Sequence, residues 1–166
     1  MIVMGIDPST DGASYAVLDM RNGARKFRSC GEVQDLNALL DVDPDVDHVA
    51  IERPSGVHLH LAPGATGDEA QKVIMRARSM GLALMRASYV AGYVRAMFHG
   101  FSVRVVEVSP DQWRTALGVS RRTEGTDARV KAAIESLITS WPKRSNTHAR
   151  DAAGAALAAA WMKGTR

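Results

Sequence analysis

Residues 1–33, MIVMGIDPSTDGASYAVLDMRNGARKFRSCGEV, decide the fold class. An apolar run, IVMGI at 2–6, stops at Asp7-Pro8. A second extended run, ASYAVLDM at 13–20, follows the turn Asp11-Gly12, and a third spans about 25 to 33 after Asn22-Gly23. Asn-Gly between two extended runs is a hairpin signal, because both central positions of the tight turn favour positive φ. Three antiparallel strands are therefore expected at the start of the chain.

Working outward, a short helix at about 36–40 leads through a loop rich in aspartate and proline to HVAIE at 48–52, an apolar strand that ends at Glu52 and is closed by Pro54. The stretch 55–67 holds Gly56, Pro63, Gly64 and Gly67 and sustains neither a helical nor a strand period, so a mobile loop is expected. Helical spacing follows over 68–99, with Asp68 as the expected N-cap and Gly81 as a break point. Ala77, Ala83, Ala87, Ala91 and Gly92 would allow that helix to pack closely as core or interface. The strand VRVVEV at 103–108 gives way to Ser109-Pro110, a serine cap with proline at the first helical position, and a helix over 110–117 that Gly118 ends. Two helices remain. One starts at Thr126, with Val130, Ala133, Ile134, Leu137 and Ile138 at helical spacing; the other, dense in alanine, runs from Thr147, its expected cap, to about Met162. Three strands, a helix, a strand, a long helix, a strand and then helices describe a mixed five-stranded α/β sheet, antiparallel at first and then parallel, flanked by helices.

At 166 residues with 46% hydrophobic side chains, the chain fits a single domain over 1–166 with a core that needs no disulfide. Cys30 is the one cysteine, which fits a reducing, cytoplasmic setting. The start, MIVMGIDPST, resembles no targeting leader, and no apolar run approaches the roughly 20 residues of a membrane span. A net charge of +3 permits a nucleic-acid partner without demanding one, but the distribution is uneven. Between residues 114 and 150 stand eight basic residues against three acids, either a solvated surface or a strip that faces phosphates.

Four residues carry the candidate chemistry. Asp7 and Glu52 each end an apolar strand, at the sheet rim where sites of open α/β sheets lie. If those strands are neighbours, the two carboxylates repel, and a divalent cation is the usual remedy. Taken singly, Asp7 before Pro8-Ser9 also reads as a turn former and Glu52 beside Arg53 as a surface pair. His148 and Asp151 stand three apart on the last helix, so they project within roughly 60° of each other. The small residues Ala152, Ala155, Ala156, Ala159 and Ala160, with Leu157, would let that helix lie flat on the sheet and carry the pair toward the strand ends.

Taken together, Gly5-Ile6-Asp7-Pro8-Ser9-Thr10 with Gly12, Ile51-Glu52-Arg53-Pro54, and His148-Ala149-Arg150-Asp151-Ala152-Ala153 resemble the three motifs of RuvC-type Holliday junction resolvases, in their order and spacing over nearly the whole chain. The resemblance implies an RNase H-like fold and a crossover junction endodeoxyribonuclease that hydrolyses a phosphodiester with two Mg²⁺ or Mn²⁺ ions. Asp7, Glu52, His148 and Asp151 match the family's metal-binding catalytic positions. The position of His148 is an acid in some members and histidine in others, and imidazole, a softer ligand, tolerates Mn²⁺ well. His148 would serve as a ligand or as a general base, and a base would lose activity below about pH 6.5.

The resemblance also implies a homodimer acting on a four-way junction or other branched DNA, with the 68–99 helix as the dimer element. The loop after Glu52 would reach toward the junction centre, with His58, Leu59 and His60 as stacking candidates. Arg53, Lys72, Arg76, Arg121, Arg122 and Lys131 are candidates for phosphate contacts, and Lys131 resembles a family lysine near the active site. Gly-Ile-Asp-Pro-Ser-Thr also resembles the first phosphate loop of actin-like ATPases, but those chains are longer and need a second such loop, which has no counterpart here. A nuclease for flaps or forks and a non-catalytic junction-binding module are the other readings, because phosphate contacts do not encode substrate shape.

Overall fold

A computed structural model describes residues 1–54, 67–101, 103–119 and 125–162. The expected loop at 55–67, with His58, Leu59 and His60, lies outside the described residues apart from Gly67; Arg121 and Arg122 lie outside them as well.

Strand β1 (Ile2–Pro8) is buried along its whole length, as a central strand covered on both faces must be. It pairs antiparallel with β2 (Ala13–Asp19), which pairs antiparallel with β3 (Lys26–Val33). At the β2–β3 turn Asn22 has φ 54° and Gly23 φ 74°, the two positive values that the Asn-Gly pair predicts. The turn is wider than a two-residue hairpin, however, because a short 3-10 segment occupies 21–23. On its other side β1 pairs in parallel with β4 (His48–Glu52), and β4 with β5 (Arg104–Val108), giving the order β3-β2-β1-β4-β5. The expected mixed five-stranded sheet is present, and its β1–β4 register, Ile6 opposite Ile51, sets Asp7 and Glu52 side by side at one end.

Helix α1 (Gly67–His99) runs unbroken through Gly81, and Asp68 lies inside its first turn, so the expected cap and break are both corrected. A single glycine costs a helix only about 1 kcal/mol against alanine, too little to stop one of this length. Only the later part of α1 is tied to the sheet: Val90, Val94 and Phe98 join Ile2, Met4, Ile6, Val49 and Ile51 in a core on one face. Helix α2 (Pro110–Ala116) begins as the sequence predicts, with a full capping box between Ser109 and Gln112 and proline at its start. It is followed by α3 (Thr126–Leu137) and α4 (Thr147–Met162).

Helix α4 covers the opposite face of the sheet, with Ala152, Ala153, Ala155, Ala156 and Leu157 buried in a second core with Val3, Ala16 and Trp113. Its approach is unusually close. A Cβ on Gly5 would sit 1.8 Å from the Ala152 carbonyl oxygen, so β1 must carry glycine where α4 crosses it. The cap of α4 is Asn146 and not the expected Thr147: its Oδ1 accepts from the Ala149 backbone N–H at 2.6 Å, while its Nδ2 donates to Glu32 on β3. Asparagine satisfies the same orphan N–H as threonine and reaches the neighbouring strand as well. Among the described residues, no helix is long and apolar enough to cross a membrane.

Candidate active site

The end of the sheet where β1 and β4 stop gathers all four sequence-predicted groups. Asp7 and Glu52 are both buried, each 9% exposed, and come from adjacent parallel strands. His148 and Asp151 enter from the first turns of α4, which lies across those strands. His148 Nδ1 is 2.7 Å from Asp7 Oδ2, and Trp113 Nε1–H donates to Glu52 Oε2 at 3.0 Å.

The titration shifts show that the acids share one electrostatic environment. Burial pushes Glu52 up to about 8, and the charges of Asp7 and Asp151 add to the rise, against the hydrogen bond from Trp113 and the charge of Arg114. Asp151 is pushed up to about 6, by burial first and by Asp7 next, with Arg114 and His148 pulling the other way. Asp7 is raised by burial despite its bond to His148, and His148 is raised by that same bond, against its own partial burial. Three carboxylates are thus held with less positive charge than they would need to ionise together.

That deficit is what a divalent cation corrects, and carboxylates with an imidazole suit Mg²⁺ or Mn²⁺. Among the described residues no three of the histidine, cysteine, aspartate or glutamate side chains converge tightly enough to hold an ion as they stand. Two of the expected ligands, Asp7 and His148, are bonded to each other instead.

Two residues at this site were not singled out from the sequence as members of it. Trp113 is fully buried against Glu52, and Arg114 stacks its guanidinium 4.8 Å over the indole ring, with a buried Nε that makes no hydrogen bond. Arg114 is the cation that lowers both Glu52 and Asp151. Lys131, expected near the site, stands exposed on α3 and pairs with Glu135 at 3.8 Å. Arg53 is exposed directly after Glu52, and Lys72 and Arg76 are exposed on the early part of α1. Beside His148 a cleft of about 210 Å³ is lined by Ser9, Asp11, Ser14, Glu32 and Gln34.

No protein-family model matches the chain, and no curated protein does. Solved structures do. The sheet order and the helix crossing β1 and β4 are those of an RNase H-like fold. The structure of Thermus thermophilus RuvC is similar with a TM-score of 0.65 and 16% identity, covering 99% of this chain and 96% of that one. T. thermophilus RuvC in complex with a Holliday junction substrate is similar with a TM-score of 0.62 and 18% identity, covering 98% and 94%.

Proposed function

We propose that this chain is a metal-dependent endonuclease that cuts four-way junctions or closely related branched DNA. The observation that carries the reading is the convergence of Asp7, Glu52, Asp151 and His148 at one sheet end, in a fold shared with a RuvC solved on a Holliday junction.

Asp7, Glu52 and Asp151, with His148 as a fourth ligand or as a base, would hold two Mg²⁺ or Mn²⁺ ions. Such a pair supplies an activated water and charge stabilisation at the phosphate. The chain's own residues do the rest. Trp113 holds one oxygen of Glu52, and Asn146 holds the start of α4, which carries His148 and Asp151. With Nδ1–H on Asp7, His148 keeps Nε2 as the nitrogen that can take a proton from the attacking water. The water oxygen would bond to phosphorus as the P–O3′ bond breaks, and the departing 3′ oxygen would take a proton from solvent, leaving a 5′-phosphate and a 3′-hydroxyl. Arg114 brings positive charge beside the acids where the phosphate must sit, and Arg53, Lys72 and Arg76 offer exposed cations for the flanking backbone.

The chain works as one domain and pairs through α1. Met75, Leu82, Met85 and Tyr89 are spaced by 7, 3 and 4 residues and are 60%, 54%, 69% and 74% exposed. An apolar seam of that period fits a second copy, and a twofold dimer would set two sites on two strands of a junction.

The test is cleavage of matched four-way junction, flap, fork and linear duplex with Mg²⁺ or Mn²⁺, comparing wild type with Asp7→Asn. Paired symmetric nicks on the junction, absent in the variant, are expected. Equal cutting of all branched forms would make it a general branch nuclease, and junction binding without metal-dependent cutting would make it a non-catalytic module.

A further inference from the structure

The indole of Trp113 touches both halves of the site. Its Nε1–H donates to Glu52 Oε2 at 3.0 Å, which fixes one oxygen of a carboxylate standing on β4. The edge of the same ring lies under α4 at Gly154: a Cβ built there would fall 2.6 Å from Cε3 and 3.0 Å from Cδ2. Gly154 is three residues beyond Asp151 and so shares its helix face. The depth at which α4 rides on the indole therefore sets how close Asp151 comes to Glu52. The tryptophan is held from three sides. It is fully buried, its own helix is fixed by the Ser109–Gln112 capping box, and Arg114 covers its ring.

We propose that Trp113 is a positioning residue for the metal site: it orients Glu52 through the indole N–H and, through its contact with Gly154, sets the gap between the glutamate on β4 and the aspartate on α4. This assignment rests on the nuclease reading above. A group that orients a ligand from behind typically changes metal affinity by about 10–100-fold. A tryptophan serving only as core filling would change stability and leave metal affinity where it was.

Two substitutions separate these roles. Trp113→Phe keeps an aromatic ring in the core but removes the donor and part of the edge that faces Gly154. Gly154→Ala keeps every hydrogen-bonding group and displaces the ring or the helix. Mn²⁺ affinity is measured by calorimetric titration on the full chain at one pH, after circular dichroism has confirmed folding. Both variants should raise the Mn²⁺ dissociation constant by about 10-fold or more, while metal-free binding to a four-way junction stays within about twofold of wild type. In a Trp141→Phe/Trp161→Phe background, which leaves Trp113 as the sole tryptophan, Mn²⁺ should alter the emission, and Asp7→Asn should weaken that response. Wild-type Mn²⁺ affinity in either folded variant, or emission that ignores Mn²⁺, would overturn the assignment. A wild-type chain that binds no Mn²⁺ at all would instead overturn the nuclease reading on which it rests.

Discussion

Asp7 and His148, 141 positions apart in sequence, meet with Oδ2 and Nδ1 2.7 Å from each other. The aspartate is buried, whereas the imidazole side chain is 61% exposed, so the pair spans the boundary between the sheet and solvent.

The bond raises His148 above its ordinary value of 6.5, because the protonated ring is favoured beside the carboxylate. Neutral imidazole is the form that binds a cation or accepts a proton. Single-turnover cleavage should therefore fall as pH drops through a value above 6.5. His148→Asp should move that fall to lower pH, and an identical profile in the variant would remove histidine from the chemistry.

Stability of the metal-free chain should run the opposite way. Glu52 titrates at about 8 in the fold against 4.5 for the free group, and Asp151 at about 6 against 3.8. The folded chain thus binds protons that the unfolded chain has released. The stability from these two groups is fully present below the unfolded values and is lost as pH climbs through the folded ones. Melting of the metal-free protein should drop between pH 5 and 8, by roughly 2–4 °C for each kcal/mol lost. Glu52→Gln should flatten the slope, and Mg²⁺ should raise the melting temperature more at pH 8 than at pH 5, since ligation requires the ionised acids.

Gly5→Ala tests the crossing of β1 and α4. The new methyl would lie 1.8 Å from a backbone oxygen, so helix and strand must separate. A loss of about 2–3 kcal/mol in urea unfolding is expected, near the upper end for overpacking, with reduced cleavage by whatever folded protein remains. Wild-type stability would mean that α4 does not cross where described.

The apolar seam of α1 makes a separate prediction. Met85→Glu with Tyr89→Glu alters two side chains that are 69% and 74% exposed, so folding should be spared. Light scattering should show the wild type as a dimer and the double variant as a monomer with nearly the same melting temperature. A wild-type monomer would leave the seam without a second copy as its occupant.

The strand ends were legible from sequence because an apolar run stopped by Asp-Pro or Glu-Arg-Pro is a local signal, and so was the alanine face of α4. Whether Asp7 and Glu52 are neighbours was not, since that depends on β1 pairing with β4 in parallel across the intervening residues 9–47. Thr147 reads as the cap from sequence because threonine and asparagine both cap helices, and only the link from Asn146 to Glu32 separates them. Trp113 and Arg114 gave no signal at all. One reads as an ordinary apolar position of α2 and the other as one charge in a basic stretch; both acquire meaning only once α2 is folded against Glu52 and α4.

The site's parts lie far apart along the chain. Asp7 is made first of the four and His148 and Asp151 more than 140 residues later, with α4 wedged onto β1 over the bare backbone of Gly5. A nascent or truncated chain that stops short of residue 147 carries two of the four site groups, Asp7 and Glu52, and leaves bare the face of β1 that α4 covers. Synthesis from N- to C-terminus thus acts as a delay: the four-group cluster is complete only after every strand of the sheet has been made.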